Sequence, residues 1–139
     1  MTTVSSTLCF MGTLLFLLGL LTGFGIPAFR SPRIGLSAHL AAIESGLALV
    51  AFGLLTPHLA ITAGWIGAIS LALWVSLYVL WAGLLFAAVY GTGRTLPIAG
   101  GDMTAKAWQE STARVLISIG SLGSAAAVVV LLAKWHWSA

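Results

Sequence analysis

Phe29-Arg-Ser-Pro-Arg-Ile-Gly-Leu-Ser-Ala-His-Leu-Ala-Ala-Ile-Glu-Ser-Gly46 is the stretch whose reading decides the fold. It opens on two arginines and a proline, then runs straight into the apolar residues 47–55. A basic turn feeding a long apolar run is the pattern of a helix that enters a membrane from its charged side. Within that run stand His39 and Glu44, ionisable groups well inside a hydrophobic segment. A charge at the centre of a bilayer helix costs roughly 2.5–3.5 kcal/mol on insertion scales, so such residues are functional candidates by default.

Composition extends this reading to the whole chain. Of 139 residues, 60% are hydrophobic and 6% are charged, with a mean hydropathy of +1.08. So little charge cannot cover a water-facing surface, and the chain reads as an integral membrane protein of one domain. Its net charge of +3 comes from six Lys and Arg against three acids. That is too sparse for a nucleic-acid footprint and suits orientation in a membrane instead. Cys9 stands alone, which excludes an intrachain disulfide, and its apolar setting marks a packed thiol.

The expected fold is an all-α bundle of four transmembrane helices, at about 8–26, 35–55, 60–90 and 112–133. No Lys or Arg precedes the first run, which argues against a cleaved signal peptide. Gly19 and Gly23 in that run have the GxxxG spacing that lets helices approach closely. Pro27 ends it, and Thr56-Pro57 ends the second, with His58 expected at headgroup level. The third run would be about 46 Å long if wholly helical, so it must tilt, protrude or begin later. On it Trp74, Tyr78 and Trp81 recur at i, i+4 and i+7 and share one face, while Trp65 fits an interfacial anchor. Residues 91–110 form the longest polar connection; its Gly91-Thr-Gly-Arg lacks the strand that a phosphate cradle needs. Gly120, Gly123 and nearby serines give the last helix a small-residue face, and Trp135 and Trp137, just after Lys134, make an interfacial ending. Arg30, Arg33, Arg94, Lys106 and Arg114 fall on one side against Lys134 on the other. The positive-inside rule puts the basic loops in the cytoplasm, and the expected location is the bacterial inner membrane.

Spacing leaves the chemistry of the candidates open. His39 has no His, Cys or carboxylate at i+3 or i+4, so a helical zinc pair is poorly supported. A haem needs one axial imidazole, and a structural hydrogen bond to a neighbouring helix needs no metal at all. Glu44, five residues on, lies about 140° around the helix from His39. At bilayer depth the expectation is a neutral acid, hydrogen-bonded inside the bundle or at a protomer boundary. The aromatic stripe can be plain packing or a wall for a flat apolar ligand.

Ser31-Pro-Arg-Ile-Gly-Leu-Ser-Ala-His39-Leu, with Ser45-Gly46 and the apolar residues that follow, resembles the second helix of the hydroxylaminobenzene mutase family, which is related to styrene oxide isomerase. The similarity continues in Tyr78, Trp81 and Ala82 and in Leu96-Pro-Ile-Ala-Gly100. The resemblance implies a four-helix subunit assembled as a homotrimer, with haem b between neighbouring subunits and His39 as its iron ligand. It implies a redox-neutral rearrangement of a small aromatic substrate, arylhydroxylamine to aminophenol or aryl epoxide to aldehyde. Haem iron would serve as a Lewis acid on the substrate oxygen, in a pocket kept dry by the membrane. On this reading Arg30 or Arg33 meets the haem propionates and Trp74 and Trp81 contact the cofactor. Glu44, Ser45 and Tyr78 then become the polar, catalytic contacts to substrate. The chain departs from the family pattern at Ser45, in place of an amide, at Glu44, in place of an apolar residue, and at Leu80, in place of Asn. A non-catalytic haem-binding or structural subunit of a membrane complex is the alternative. A proton pathway through Glu44 is a third, and it lacks a relay chain.

Overall fold

The computed structural model describes residues 2–135. Its elements are α1 (Thr3–Gly25), α2 (Pro32–Leu55), α3 (Ala63–Tyr90), a single short turn of helix α4 (Pro97–Gly100), and α5 (Ala107–Ala133). Turns of 3-10 helix at Ile26–Ala28 and Thr56–His58 finish α1 and α2. Helices α1, α2, α3 and α5 are each long and apolar enough to cross a membrane. At 1.5 Å per residue they extend about 35–42 Å, against a hydrocarbon core of about 30 Å. Trp137 of the expected interfacial ending lies outside the described residues.

Three helices start earlier than hydropathy suggests, because capping rather than apolarity sets a start. Thr2 accepts a hydrogen bond from the Ser5 amide and launches α1 at Thr3, five residues before the apolar run. Ser31 caps α2 through the Ile34 amide, and Pro32 takes the first helical position, where a missing N–H costs nothing. The Gln109 side chain accepts from the Lys106 amide and starts α5 at Ala107. The third run resolves the other way: α3 begins at Ala63, so the apolar stretch is shortened at its front. It ends at Gly91, whose φ of 67° and ψ of 49° form the left-handed cap that glycine adopts without strain.

The bundle is two hairpins, α1 with α2 and α3 with α5, joined along α2 and α3. Lipid tails are as apolar as leucine, so helices in a membrane gain by close van der Waals contact rather than by escape from water. Both hairpins use glycine for this. A β-carbon on Gly12 would stand 2.6 Å from the Gly46 carbonyl oxygen, and one on Gly46 would stand 2.7 Å from that of Gly12. In the second hairpin a β-carbon on Gly120 would meet the Leu80 backbone at 2.5 Å. Around these seams Leu8, Leu15, Ala42, Leu49, Leu73 and Ala127 form the central core.

The two ends are pinned differently. At the basic end, the Arg30 guanidinium donates to the carbonyls of Tyr90 (3.2 Å) and Thr104 (3.3 Å), tying the first connection to the last. Those carbonyls include the negative end of α3, which favours a cation. At the other end Lys134 lies 5.0 Å from the centre of the Trp65 ring, so the anchor and its cation meet.

Gly46→Ala is expected to destabilise the fold by about 1–3 kcal/mol, because two backbones must part to admit the methyl group. Gly67→Ala, on α3 with nothing within 4 Å of the added carbon, is expected to gain roughly 0.5–1 kcal/mol. Thermal unfolding of the two variants in one detergent, followed by circular dichroism, should show opposite shifts in Tm.

Candidate functional site

His39 leaves α2 two turns from its start, beside the Ala38–Ala42–Gly46 face that packs on α1. Its Nδ1 lies 2.7 Å from the Gly19 carbonyl oxygen. A carbonyl can only accept, so Nδ1 carries the proton and donates it to Gly19. In the neutral ring Nε2 is then the lone-pair nitrogen. The ring is half-buried, and Nε2 is neither bonded to another group nor enclosed among the described residues. It therefore opens to the outside of the chain. Gly23, one turn along α1, lies against the same ring.

An imidazole held at Nδ1 by a backbone carbonyl, with Nε2 open, has the form that metal-ligating histidines take. No group of three His, Cys, Asp or Glu residues that could hold a metal ion occurs among the described residues. The donor set thus fits a centre that asks one ligand of the chain, as a porphyrin iron does, and does not fit a protein-caged zinc.

The aromatic stripe faces inward. Trp74, Tyr78 and Trp81 all pack on the central core, and Trp74 meets Tyr78 edge-on at 6.0 Å between centroids. Tyr78 donates its hydroxyl to the Met11 carbonyl at 2.8 Å. Trp81 donates its indole N–H to Thr22 Oγ1 at 3.2 Å, and Thr22 donates in turn to the Leu18 carbonyl. Thr22 directly precedes Gly23, so the indole and the imidazole brace against one turn of α1. These partners on α1 have no side-chain signature that spacing along α3 could reveal.

Of the two places expected for Glu44, inside the bundle or at a protomer boundary, the structure excludes the first. The residue is exposed on the outer side of α2, so it is not hydrogen-bonded inside the bundle. The reason is angular: Ala42 and Gly46 face α1, and Glu44 stands two residues, or about 200°, from each. Ser45 beside it is half-buried. No hydrogen bond joins Glu44, Ser45, Tyr78 and His39 to one another among the described residues. At the basic rim the structure separates the two arginines. Arg30 is committed to the carbonyls of Tyr90 and Thr104, whereas Arg33 is exposed and lines a cleft with Pro32, Gly100, Gly101 and Met103.

A sequence profile described as "Styrene oxide isomerase" matches residues 4–135. The chain belongs to the styrene oxide isomerase family. Among its relatives, hydroxylaminobenzene mutase HabB of Ectopseudomonas oleovorans is 40% identical over 127 residues, covering 90% of this chain and 76% of the relative. Hydroxylaminobenzene mutase HabA of the same organism is 35% identical over 122 residues, 87% of this chain and 90% of that protein. No solved structure matches the chain. Family and relatives alike make this an isomerase-class enzyme.

In this isomerase-family chain one structural carboxylate escaped the sequence reading. Glu110 is 5% exposed at the start of α5. Its two oxygens accept from the amides of Arg94 (3.4 Å), Thr95 (2.9 Å) and Ala105 (3.2 Å) and from the Thr95 hydroxyl (2.8 Å). It thereby gathers both ends of the long polar loop. The available signal was an acid in the first turn of a helix after a loop rich in unpaired amides. Glu110→Ala is expected to cost about 2–3 kcal/mol, since three amides and a hydroxyl lose their acceptor. Faster limited proteolysis within residues 91–106, with the helical content retained, is the measurement that checks it.

Proposed function

We propose that the chain is a haem b-dependent membrane isomerase that rearranges a small aromatic substrate, of the arylhydroxylamine or aryl epoxide type, without net redox change. The observation that carries this reading is the His39 imidazole, with Nδ1–H fixed on Gly19 and Nε2 open to the outside of the chain. The names of the two mutase relatives favour hydroxylaminobenzene as the first substrate to try. Haem, when bound, supplies a Lewis-acidic centre for the substrate oxygen.

The chain's own residues do the rest of the work in this reading. His39 holds the ligand nitrogen in one orientation, because a ring anchored at Nδ1 cannot swing without breaking that bond. The apolar helices exclude water, which would otherwise trap a cationic species formed during rearrangement. Arg33, exposed at the end of α2 nearest His39, offers the charge complement for propionates, while Arg30 serves the loop. Glu44 and Ser45 supply the polar groups deeper along α2, and Trp81 and Trp74 stiffen the wall behind.

The same surface supports assembly with further copies of the chain, and a homotrimer is the assembly proposed. Both Nε2 and the Glu44 carboxyl lie on the outside of a single chain, and Glu44 is about 18 Å along α2, near the middle of a hydrocarbon core of about 30 Å. Lipid is a poor neighbour for either group, and a second copy covers both. The basic end, with five Lys and Arg against Lys134, supports an orientation with that end in the cytoplasm and a bacterial inner membrane as the location.

The purified protein is expected to show a Soret band and to convert hydroxylaminobenzene to aminophenol with no added reductant. His39→Ala should abolish that band while the oligomer still forms; a full, unshifted haem spectrum in the variant would sink the ligand assignment. Haem without turnover on any arylhydroxylamine or aryl epoxide would point to a non-catalytic subunit.

Glu44→Gln separates chemistry from assembly. The amide keeps the size and hydrogen-bonding capacity of the acid, so the spectrum and the oligomer should persist. Turnover should fall about 10²–10⁴-fold if the carboxyl delivers a proton. Loss of both haem and oligomer would show instead that the residue holds an ion pair across the assembly.

A further inference from the structure

We infer that Gly19 and Gly23 are positioning residues for His39: the carbonyl of the first sets the ring tautomer, and the missing side chain of the second gives the ring its place. The inference rests on the reading of His39 as a cofactor ligand, and it assigns to the GxxxG pair a task beyond helix packing.

The spacing of four has a chemical reason. In an α-helix the carbonyl of residue i accepts from the amide of residue i+4, and every Cα–Cβ bond tilts back toward the N-terminus. The side chain of residue i+4 therefore lies over the turn that bears the carbonyl of residue i. At Gly19 the space over that turn is taken by an imidazole, and position 23 carries no side chain to compete for it. Into that opening the His39 ring fits: a β-carbon on Gly23 would stand 2.9 Å from Nδ1 and 3.0 Å from Cε1. The first of these is closer than real β-carbons come to a neighbour. The ring, held at 2.7 Å from Gly19, has no slack to give.

Gly19 acts in a second way. A β-carbon there would meet Ala42 Cβ and the Ile43 amide nitrogen at 3.0 Å. Its absence brings α2 near enough for the imidazole to reach the carbonyl. Gly12 marks the contrast on the same helix. Its neighbours are the Gly46 carbonyl, the Val50 amide and Leu49, so it serves packing alone. A proton held at Nδ1 by a strong acceptor makes Nε2 the better electron donor, which is what an axial ligand requires.

The test uses the full chain in detergent, labelled with 15N-histidine, first without cofactor and then titrated with haemin. The His39 signal is assigned by its loss in His39→Ala. Wild-type protein should show His39 as the Nδ1–H tautomer. Gly23→Ala should lose that preference, weaken haemin binding at least tenfold and shift the Soret band, while Gly67→Ala, whose added carbon meets nothing within 4 Å, keeps the wild-type tautomer. A second variant guards against simple misfolding. In His39→Gly, added imidazole should restore the haem spectrum, and His39→Gly with Gly23→Ala should need at least tenfold more imidazole. A wild-type tautomer and spectrum in Gly23→Ala would overturn the cradle and leave the haem reading standing, as would an Nε2–H tautomer in the wild type. A tautomer fixed in the wild type and lost in Gly23→Ala, with no haemin bound by either, would support the cradle and defeat the haem reading.

Discussion

The close approach of α1 and α2 is the constraint on which the rest depends. Gly12 and Gly46 bring the two backbones together, and Gly19 keeps them together near the basic end. A separation wider by one methyl group would put the Gly19 carbonyl beyond hydrogen-bonding distance of His39. The imidazole N–H would then be left in an apolar medium, where an unpaired polar group costs roughly 2–7 kcal/mol depending on the reference state. Packing and chemistry are therefore one feature of this chain. The contact that holds the hairpin is also the contact that orients the ring.

The same solution recurs at other polar side chains of the bundle. Ser5 donates to the Gly53 carbonyl at 2.7 Å, Thr22 to Leu18 and Tyr78 to Met11. Each hydroxyl finds a second lone pair on a carbonyl that the helix already uses. No matched side-chain partner is needed, which lets a chain of 6% charged residues carry several polar groups at membrane depth. Between helices the result is directional. Ser5 joins α1 to α2, and Tyr78 and Trp81 join α3 to α1, so these bonds fix the rotation of helices that apolar contact alone would leave free to turn.

This explains which parts were legible in the sequence. The four spans announce themselves through hydropathy, and His39 stands out because imidazole is rare in such a setting. The face of the aromatic stripe follows from its i, i+4, i+7 spacing. What hydropathy could not supply is a partner that is backbone. Gly19 and Gly23 read as packing residues, and that is half of what they do. Glu110 was missed because its acceptor role is matched by the amides of residues 94, 95 and 105, which look like any others in the chain. The starts of α1, α2 and α5 lie ahead of the apolar runs for a related reason. The capping groups Thr2, Ser31 and Gln109 are polar, so a reading by apolarity discards them. Glu44 is a different case. The Ala38, Ala42 and Gly46 stripe already marked the inner face of α2, and counting two residues from it would have placed the carboxyl outside.

That outward carboxyl bears on how the proposed enzyme is built. A bundle of four helices with glycine seams has little interior to spare, and its core is filled by leucine, alanine and aromatic rings. A flat ligand wide enough for a porphyrin must then lie against the outside of the subunit rather than within it. The open nitrogen of His39 and the carboxyl of Glu44 are both on that outside, on one helix, about 7.5 Å apart along its axis and about 140° apart around it. Two groups so disposed cannot both point at one small substrate from a single helix unless a surface from elsewhere closes over them. The angle thus favours a site in which His39 of one copy and Glu44 of the next are the groups that converge. Mixing His39→Ala subunits with Glu44→Gln subunits is the decisive trial. Neither variant is active alone in this arrangement, and a mixed oligomer regains the boundaries at which both native residues meet. Activity recovered on mixing would place the two residues on different subunits, whereas a mixture as inactive as its parts would place them on the same one.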